Sequence, residues 1–185
     1  MPGCDIANGR VEACKDSVSG IDAIYIINYG IDYPDDVTFS AVAGEEDVIT
    51  AVAGVTTLYK FELKGANSFE QTIQTSRDNG TTFFEQVVVA QLKRQDFTTH
   101  KTVKLLSYGR PHIVVRDRNL NFFLAGLERG CDVTAGTFST GSALGDFSGY
   151  NLTFTGMENI PAPFLDCNDE AGLASLFGGA TIDDN

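Results

Sequence analysis

Side chains that could do metal or acid–base chemistry are few in this sequence. The only two histidines are His100 and His112, and no carboxylates stand near them at the short, regular spacing that a metal site needs. Adjacent carboxylates include those at 35–36 and 45–46. A glycosidase uses two carboxylates, but these pairs lie among residues typical of solvated turns. The pattern favours surface or packing roles for the histidines and solvated turn roles for the carboxylates.

Motifs for nucleophilic catalysis or phosphate binding are also missing. The sequence contains no Gly-x-Ser-x-Gly elbow and no P-loop. The run 141–145, Gly-Ser-Ala-Leu-Gly, lacks the lysine and the strand-to-helix context that phosphate binding requires, so it predicts a mobile loop. We therefore expect no catalytic residue, no cofactor and no metal, that is, a protein that is not an enzyme.

The cysteines do not form a zinc motif. They are spread along the chain and include no Cys-x-x-Cys pair: Cys4, Cys14, Cys131 and Cys167. Reduced thiols are the expected state in the cytosol. A bridge between Cys4 and Cys14 stays open for a particle that later meets oxidising surroundings.

The charge of the chain is strongly acidic. It carries 25 acidic and 13 basic residues, for a formal net charge of −12. Such a chain does not hold nucleic acid phosphates through its overall charge. It could instead line a passage through which nucleic acid slides without sticking.

Basic residues gather around one predicted hairpin, against this acidic background. We interpret them as an exposed face that meets an acidic patch on another copy, in a head-to-tail contact; scattered, solvated charges are the alternative. The proposed contact residues are Arg110, Arg116 and Arg118 on the basic side, and Glu45, Glu46 and Asp47 on the acidic side.

The elements that must position these residues are centred on the stretch 82–126. It predicts a long strand over 82–92 with apolar residues on both faces, and both faces are expected to be covered for part of their length. A helix follows over about 97–108, started by Thr98 or Thr99 and ended by Gly109 and Pro111. A hairpin of strands 113–117 and 122–126 completes the stretch.

Further strands are predicted on both sides of this stretch, over 21–28, 37–40, 48–52, 58–63, 68–75, 131–138 and 150–155. The Asn79-Gly80 dipeptide is a strong hairpin signal, so 68–75 and 82–92 should be antiparallel neighbours. The prediction is a mainly β fold, an antiparallel barrel or sandwich of about eight strands with one flanking α-helix and extended termini.

The chain divides into three parts on this interpretation. Residues 1–17 form an N-terminal arm, 18–158 the β domain, and 159–185 an acidic C-terminal tail. Within that tail, Leu173, Leu176 and Phe177 make one helical turn or dock on a partner. No apolar run reaches the length of a transmembrane helix, and the first residues lack the features of a signal peptide. We therefore expect a protein made and kept in the cytosol.

Several runs resemble tail tube proteins (major tail proteins) of tailed bacteriophages. They are Lys-Leu-Leu-Ser-Tyr-Gly-Arg at 104–110, the hairpin residues 112–117 and 121–126, and 143–156, which ends Gly-Tyr-Asn-Leu-Thr-Phe-Thr-Gly. The resemblance is diffuse and involves no catalytic signature. It covers roughly 18–164 and includes neither the N-terminal arm nor the residues after Phe164.

The resemblance implies a virion structural protein. Such proteins have a β-barrel with a flanking helix, close into rings that are usually hexameric, and stack into a hollow tail tube with an acidic lumen. Residues 37–57 would then reach the next ring, and both termini would cross subunit boundaries. The implied partners are copies of the same chain and other tail proteins such as the terminator, baseplate and sheath. Double-stranded DNA would pass through without specific binding, and no membrane would be involved. The implied location is the virion tail, assembled in the host cytoplasm.

Two alternatives remain at this stage. A tail terminator or other tail-completion ring would share the chemistry but stop at a single ring, so polymer length discriminates. A carbohydrate-binding sandwich would need exposed aromatic platforms, and with no tryptophan it would depend on Tyr29, Tyr33 or Tyr108.

Overall fold

Two β-sheets and two helices make up the computed structural model, which describes residues 9–11 and 14–184. The strands are β1 Ile21–Ile27, β2 Val37–Phe39, β3 Val48–Val52, β4 Thr57–Glu62, β5 Ser68–Ser76, β6 Thr81–Lys93, β7 His112–Asp117, β8 Phe122–Ala125, β9 Cys131–Ser139, β10 Gly149–Glu158, β11 Phe164–Leu165 and β12 Thr181–Asp183. The helices are α1 Phe97–Leu106 and α2 Glu170–Leu176.

The sheets are arranged as a sandwich. The larger has the order β12-β4-β1-β7-β8-β11-β3-β2, and the smaller has the order β5-β6-β10-β9. The predicted mainly β sandwich with a flanking helix is confirmed, and so is the antiparallel pairing of β5 with β6. Neither sheet closes on itself within the described residues, so the barrel alternative is wrong, because the end strands of each sheet do not pair with each other.

Strand β1 separates two hydrophobic cores. Its odd-numbered residues Ala23, Tyr25 and Ile27 pack into one core, and Ile24 and Ile26 pack into the other. A strand covered on both faces has a nearly continuous apolar sequence, as β1 has. The first core lies against α2, and the second fills the space between the two sheets under α1.

The long strand β6 is covered on one face only. Val88 and Ala90 are fully buried between the sheets, whereas Val87 and Val89, on the other face, are half-buried. The expectation that both faces are covered is therefore wrong. Val87 and Val89 on the second face belong to neither hydrophobic core.

Helix α1 begins at Phe97, as predicted, but its N-cap is a different residue from the two threonines proposed. Asp96 is its N-cap, and the carboxylate accepts hydrogen bonds from the N–H of Thr99 at 2.7 Å and from its hydroxyl at 2.7 Å. An aspartate suits this position because its negative charge also complements the helix dipole. The prediction that Thr98 or Thr99 caps the helix is thus wrong.

The C-terminal residues are part of the folded body, contrary to the predicted acidic tail over 159–185. Leu173, Leu176 and Phe177 are buried in the first core. Strand β12 pairs in parallel with β4, and β11 lies between β8 and β3. These apolar residues at helical spacing pack within the chain, on the face of the larger sheet that the smaller sheet does not cover. The predicted N-terminal arm, 1–17, falls mostly outside the described residues, as does Cys4 of the Cys4–Cys14 pair.

The buried position of α2 leads to a stability prediction. Replacing Leu173 with alanine should lower the free energy of unfolding by about 2–5 kcal/mol, because the substitution removes buried methyl groups and leaves a cavity. Urea denaturation measures the change. The same substitution at Leu144, which is fully exposed, serves as the control and should have little effect. Equal stability of the two variants would mean that α2 is not part of the cooperative fold.

Candidate assembly surface

The two outer strands of the smaller sheet lack a second partner in the described part of the chain. Strand β5 pairs only with β6, and β9 pairs only with β10. Both strands have nine residues, and both are exposed on their two faces over 70–75 and 134–138. Such strands present a row of unpaired backbone groups that can bind another chain.

A side-chain contact identifies which β5 amides face outward. The N–H of Gln91, in β6, donates to Oδ1 of Asn67 at 2.7 Å, just before β5. Odd-numbered residues of β6 therefore point their N–H and C=O groups toward β5. Because Gln71 and Ile73 alternate with the β5 residues that bond to β6, their N–H groups point away from the sheet.

The β9 edge follows the same rule. The hydroxyl of Thr134 contacts the carbonyl oxygen of Thr153 at 3.4 Å, which places that carbonyl on the β9 side of β10. Thr153 is paired with Ala135, so the backbone groups of Gly136 and Phe138 face outward. Each edge thus offers unpaired donors and acceptors.

The open face of the smaller sheet, turned away from the larger one, is acidic and polar. Its acidic members are Glu70, Glu85 and Asp132, and the rest are mostly hydroxyl, amide or small apolar side chains. Among the strand residues on this face, Lys93 at the end of β6 is the only basic one. A surface of this composition has little to neutralise phosphates with.

Arg116 is not available as a free basic group. Its guanidinium forms ion pairs with Asp22 at 3.0 Å and with Glu170 at 3.4 Å. Glu170 also accepts a hydrogen bond from the hydroxyl of Tyr25 at 3.0 Å and forms an ion pair with Lys60 at 2.7 Å. The hydrogen bond from Lys60 is the main reason that the pKa of Glu170 is lowered. Arg116 therefore joins α2 to the sheet.

The other two predicted arginines also have partners within the chain. Arg118 donates to the carbonyl oxygens of Ser19 and Gly65, both at 3.0 Å. The Arg110 guanidinium lies 4.9 Å from the centre of the Tyr29 ring but remains exposed. A single free basic face is therefore not formed, and of the three arginines Arg110 is the one that keeps an exposed guanidinium without a hydrogen bond or ion pair among the described residues.

The predicted acidic contact residues do lie together. Glu45, Glu46 and Asp47 are exposed at the tip of the β2–β3 hairpin. A Glu46 carboxylate oxygen accepts the N–H of Gly44 at 2.9 Å, and backbone hydrogen bonds lower the pKa of this carboxyl. The described ion pairs do not include these three residues.

Of the two histidines, His112 has a packing role. It is fully buried, its Nε2 accepts the N–H groups of Gly30 and Ile31 at 3.3 Å, and its Nδ1 donates to the carbonyl of Gly126 at 2.6 Å. Burial lowers its pKa. Tyr29 stacks on its ring.

The described residues contain no group of three or more His, Cys, Asp or Glu side chains placed to hold a metal ion. Neither α1 nor α2 has the length and apolar content to cross a membrane. The sequence did not identify β5 and β9 as the strands with free edges, although the length of the 68–92 hairpin was a signal for them.

Comparisons with known proteins add no relative. No protein-family model, no curated protein and no solved structure matches the chain.

The buried His112 predicts a pH dependence. An unfolded histidine has a pKa of about 6.5, and the pKa of His112 in the folded chain is lower. As the pH falls through about 6.5, the unfolded chain therefore binds a proton more readily than the folded chain does. Stability should therefore fall between about pH 7.5 and 5.5. Urea denaturation across this range should show a smaller slope for His112→Gln than for the wild type.

The control for this measurement is His100→Gln, which should keep the wild-type slope because His100 is exposed. Burial raises the pKa of Glu158 and so works in the opposite direction, but it is common to all three proteins. Equal slopes for the wild type and His112→Gln would show that His112 is not the source of the pH dependence.

Proposed function

We propose that this chain is a structural protein that joins edge to edge into rings, and that the rings stack into a hollow tube for DNA passage, as in a bacteriophage tail. The observation that carries the proposal is the pair of unpaired nine-residue edges on one four-stranded sheet. The sequence resemblance to tail tube proteins points the same way.

The directions of the strands support a head-to-tail ring. The four strands alternate in direction, so β5 and β9 run opposite ways. Copies related by rotation about a ring axis keep the same orientation, and β9 of one copy meets β5 of the next as an antiparallel pair. Every junction is then alike, and closing the ring removes all the free edges of this sheet.

The size of such a ring suits DNA. Six copies would contribute about 24 strands, and at ~4.8 Å per strand the circle of backbones is about 37 Å wide before any strand tilt. Side chains on the inside take up ~5 Å on each side. The bore that remains is wide enough for a duplex.

The open face of the smaller sheet would line this bore, because the other face is occupied by the larger sheet. Glu70, Glu85 and Asp132 would then face the DNA, with hydroxyl and amide groups between them. Like charge keeps the phosphates from binding, which lets a long polyanion move through.

Stacking of rings would use the β2–β3 hairpin. Its exposed acidic tip, 45–47, can meet Arg110 of a copy in the next ring, while Arg116 is left to its contacts within the chain. The same edges would serve a single-ring terminator, which differs in stopping after one ring. The carbohydrate-binding alternative is weaker, since Tyr33 packs on Phe39 and Tyr29 lies between His112 and Arg110. Of the three tyrosines only Tyr108, 81% exposed, is left as a platform.

A proline at the free edge of β5 tests the ring. Ile73 is 64% exposed and its N–H faces outward, so Ile73→Pro removes a donor that the monomer does not use while blocking a new strand. The wild type should form rings or tubes by negative-stain electron microscopy and sedimentation. Ile73→Pro should remain a folded monomer.

The matched control is Ile73→Thr, which changes the side chain but keeps the N–H, and it should assemble like the wild type. Circular dichroism of each variant checks the fold. A wild type that stays monomeric at high concentration, or an Ile73→Pro variant that assembles normally, would refute edge-to-edge assembly.

A further inference from the structure

Aromatic side chains lie beside each free edge of the smaller sheet, and several of them are exposed to solvent. Behind β9, the ring of Phe138 lies 5.2 Å from Tyr150 and 5.4 Å from His100 of α1. Phe138 is 53% exposed, and Phe97, at the start of α1, is 98% exposed. We call Phe97, His100, Phe138 and Tyr150 the β9-side cluster.

A second aromatic group lies behind β5. Phe123 of β8 is 4.5 Å from Phe164 of β11 and 5.8 Å from Phe69 of β5, measured between ring centres. Phe164 is 48% exposed. We call Phe69, Phe123 and Phe164 the β5-side cluster.

The larger sheet continues beyond the β5 edge. Strand β5 contacts β8 through Phe69 and Phe123, and its Gln71 Oε1 accepts the N–H of Ala162, just before β11, at 2.7 Å. The larger sheet extends further through β3 and β2. Phe122 and Leu165 turn into the first core. Their neighbours Phe123 and Phe164 therefore lie on the side facing the smaller sheet, where the partly exposed Phe164 of β11 forms a ledge beside β5.

The strand alternation places both clusters on the same side of an extended sheet. Phe69 is paired with the buried Val88, and Phe138 with the buried Tyr150, so both side chains are on the sandwich face. Both residues also point their backbone N–H groups outward. Residues opposite each other in an antiparallel pair share a face, so a β9–β5 junction between copies keeps both phenylalanines on one side.

We propose that the β9-side cluster of one copy docks on the β5-side cluster of the next and forms the apolar layer of the junction. The partner is a second copy of this chain, and the inference rests on the edge-to-edge assembly proposed above. The ledge at β11 would carry the β9–α1 corner of the neighbour, and Phe97 and Phe164 would leave solvent. Aromatic side chains of this kind commonly supply the strongest contacts of an interface.

A charge-pair experiment tests the contact. Phe138→Glu and Phe164→Lys each put a charge into the proposed apolar layer, and each should raise the protein concentration needed for assembly at least about tenfold. The double variant brings opposite charges together and should recover most of the loss. Sedimentation and electron microscopy at several concentrations give the measurement, after circular dichroism has shown that each monomer is folded.

Two further variants complete the design. Leu105→Glu alters an exposed residue of α1 outside both clusters and should assemble like the wild type. Phe97→Glu, at a nearly fully exposed position, should impair assembly without touching the monomer's core, and it replaces Phe138→Glu if that variant does not fold.

The outcomes separate this inference from the proposed function. If Ile73→Pro blocks assembly while the phenylalanine variants assemble normally, the proposed edge-to-edge rings remain supported and the proposed aromatic junction is wrong. If both single variants are impaired but the double variant is not rescued, the clusters do not face each other. If the wild type never assembles, both proposals fail.

Discussion

The burial of the β1–β7 pair on both faces is the constraint on which the rest of the structure depends. Ile24 and Ile113 pack toward the smaller sheet, and Tyr25 and Val114 pack toward α2. Because a strand covered on both sides must have a layer on each face, the smaller sheet and the C-terminal helix are both required. The smaller sheet buries its inner face against this strand pair, but its two edge strands, β5 and β9, remain without a second partner.

These unpaired edge strands link the stability of the fold to its proposed function. A backbone donor at an exposed edge loses little in the monomer, since water can bind it, yet the edge can also pair with another chain. Apolar side chains such as Ile73 and Phe138 beside these donors would gain further from being covered. In the proposed assembly these donors would gain partners and these side chains would be covered.

The charged residues divide into those that form ion pairs within the chain and those that stay exposed at its surface. Arg116, Glu170 and Lys60 bind the C-terminal helix to the sheet in a partly exposed cluster. Pairs with this much exposure contribute modestly to stability, so they direct where α2 sits more than they hold it there. The acidic residues of the open face and of the 45–47 tip take no part in these ion pairs. They determine the charge that an approaching molecule meets.

Local pattern in the sequence was enough to predict most strands, α1 and the β5–β6 hairpin, because alternation and turn residues are properties of neighbouring residues. Tertiary structure decided that His112 is the buried one of the two histidines, that Asp96 caps α1, that Arg116 pairs with Glu170, and that 164–184 returns to fill a core. It also decided which strands end each sheet, and so where the candidate assembly surface lies. These features depend on residues far apart in the chain, whose meeting is determined by how whole layers pack and not by any local period.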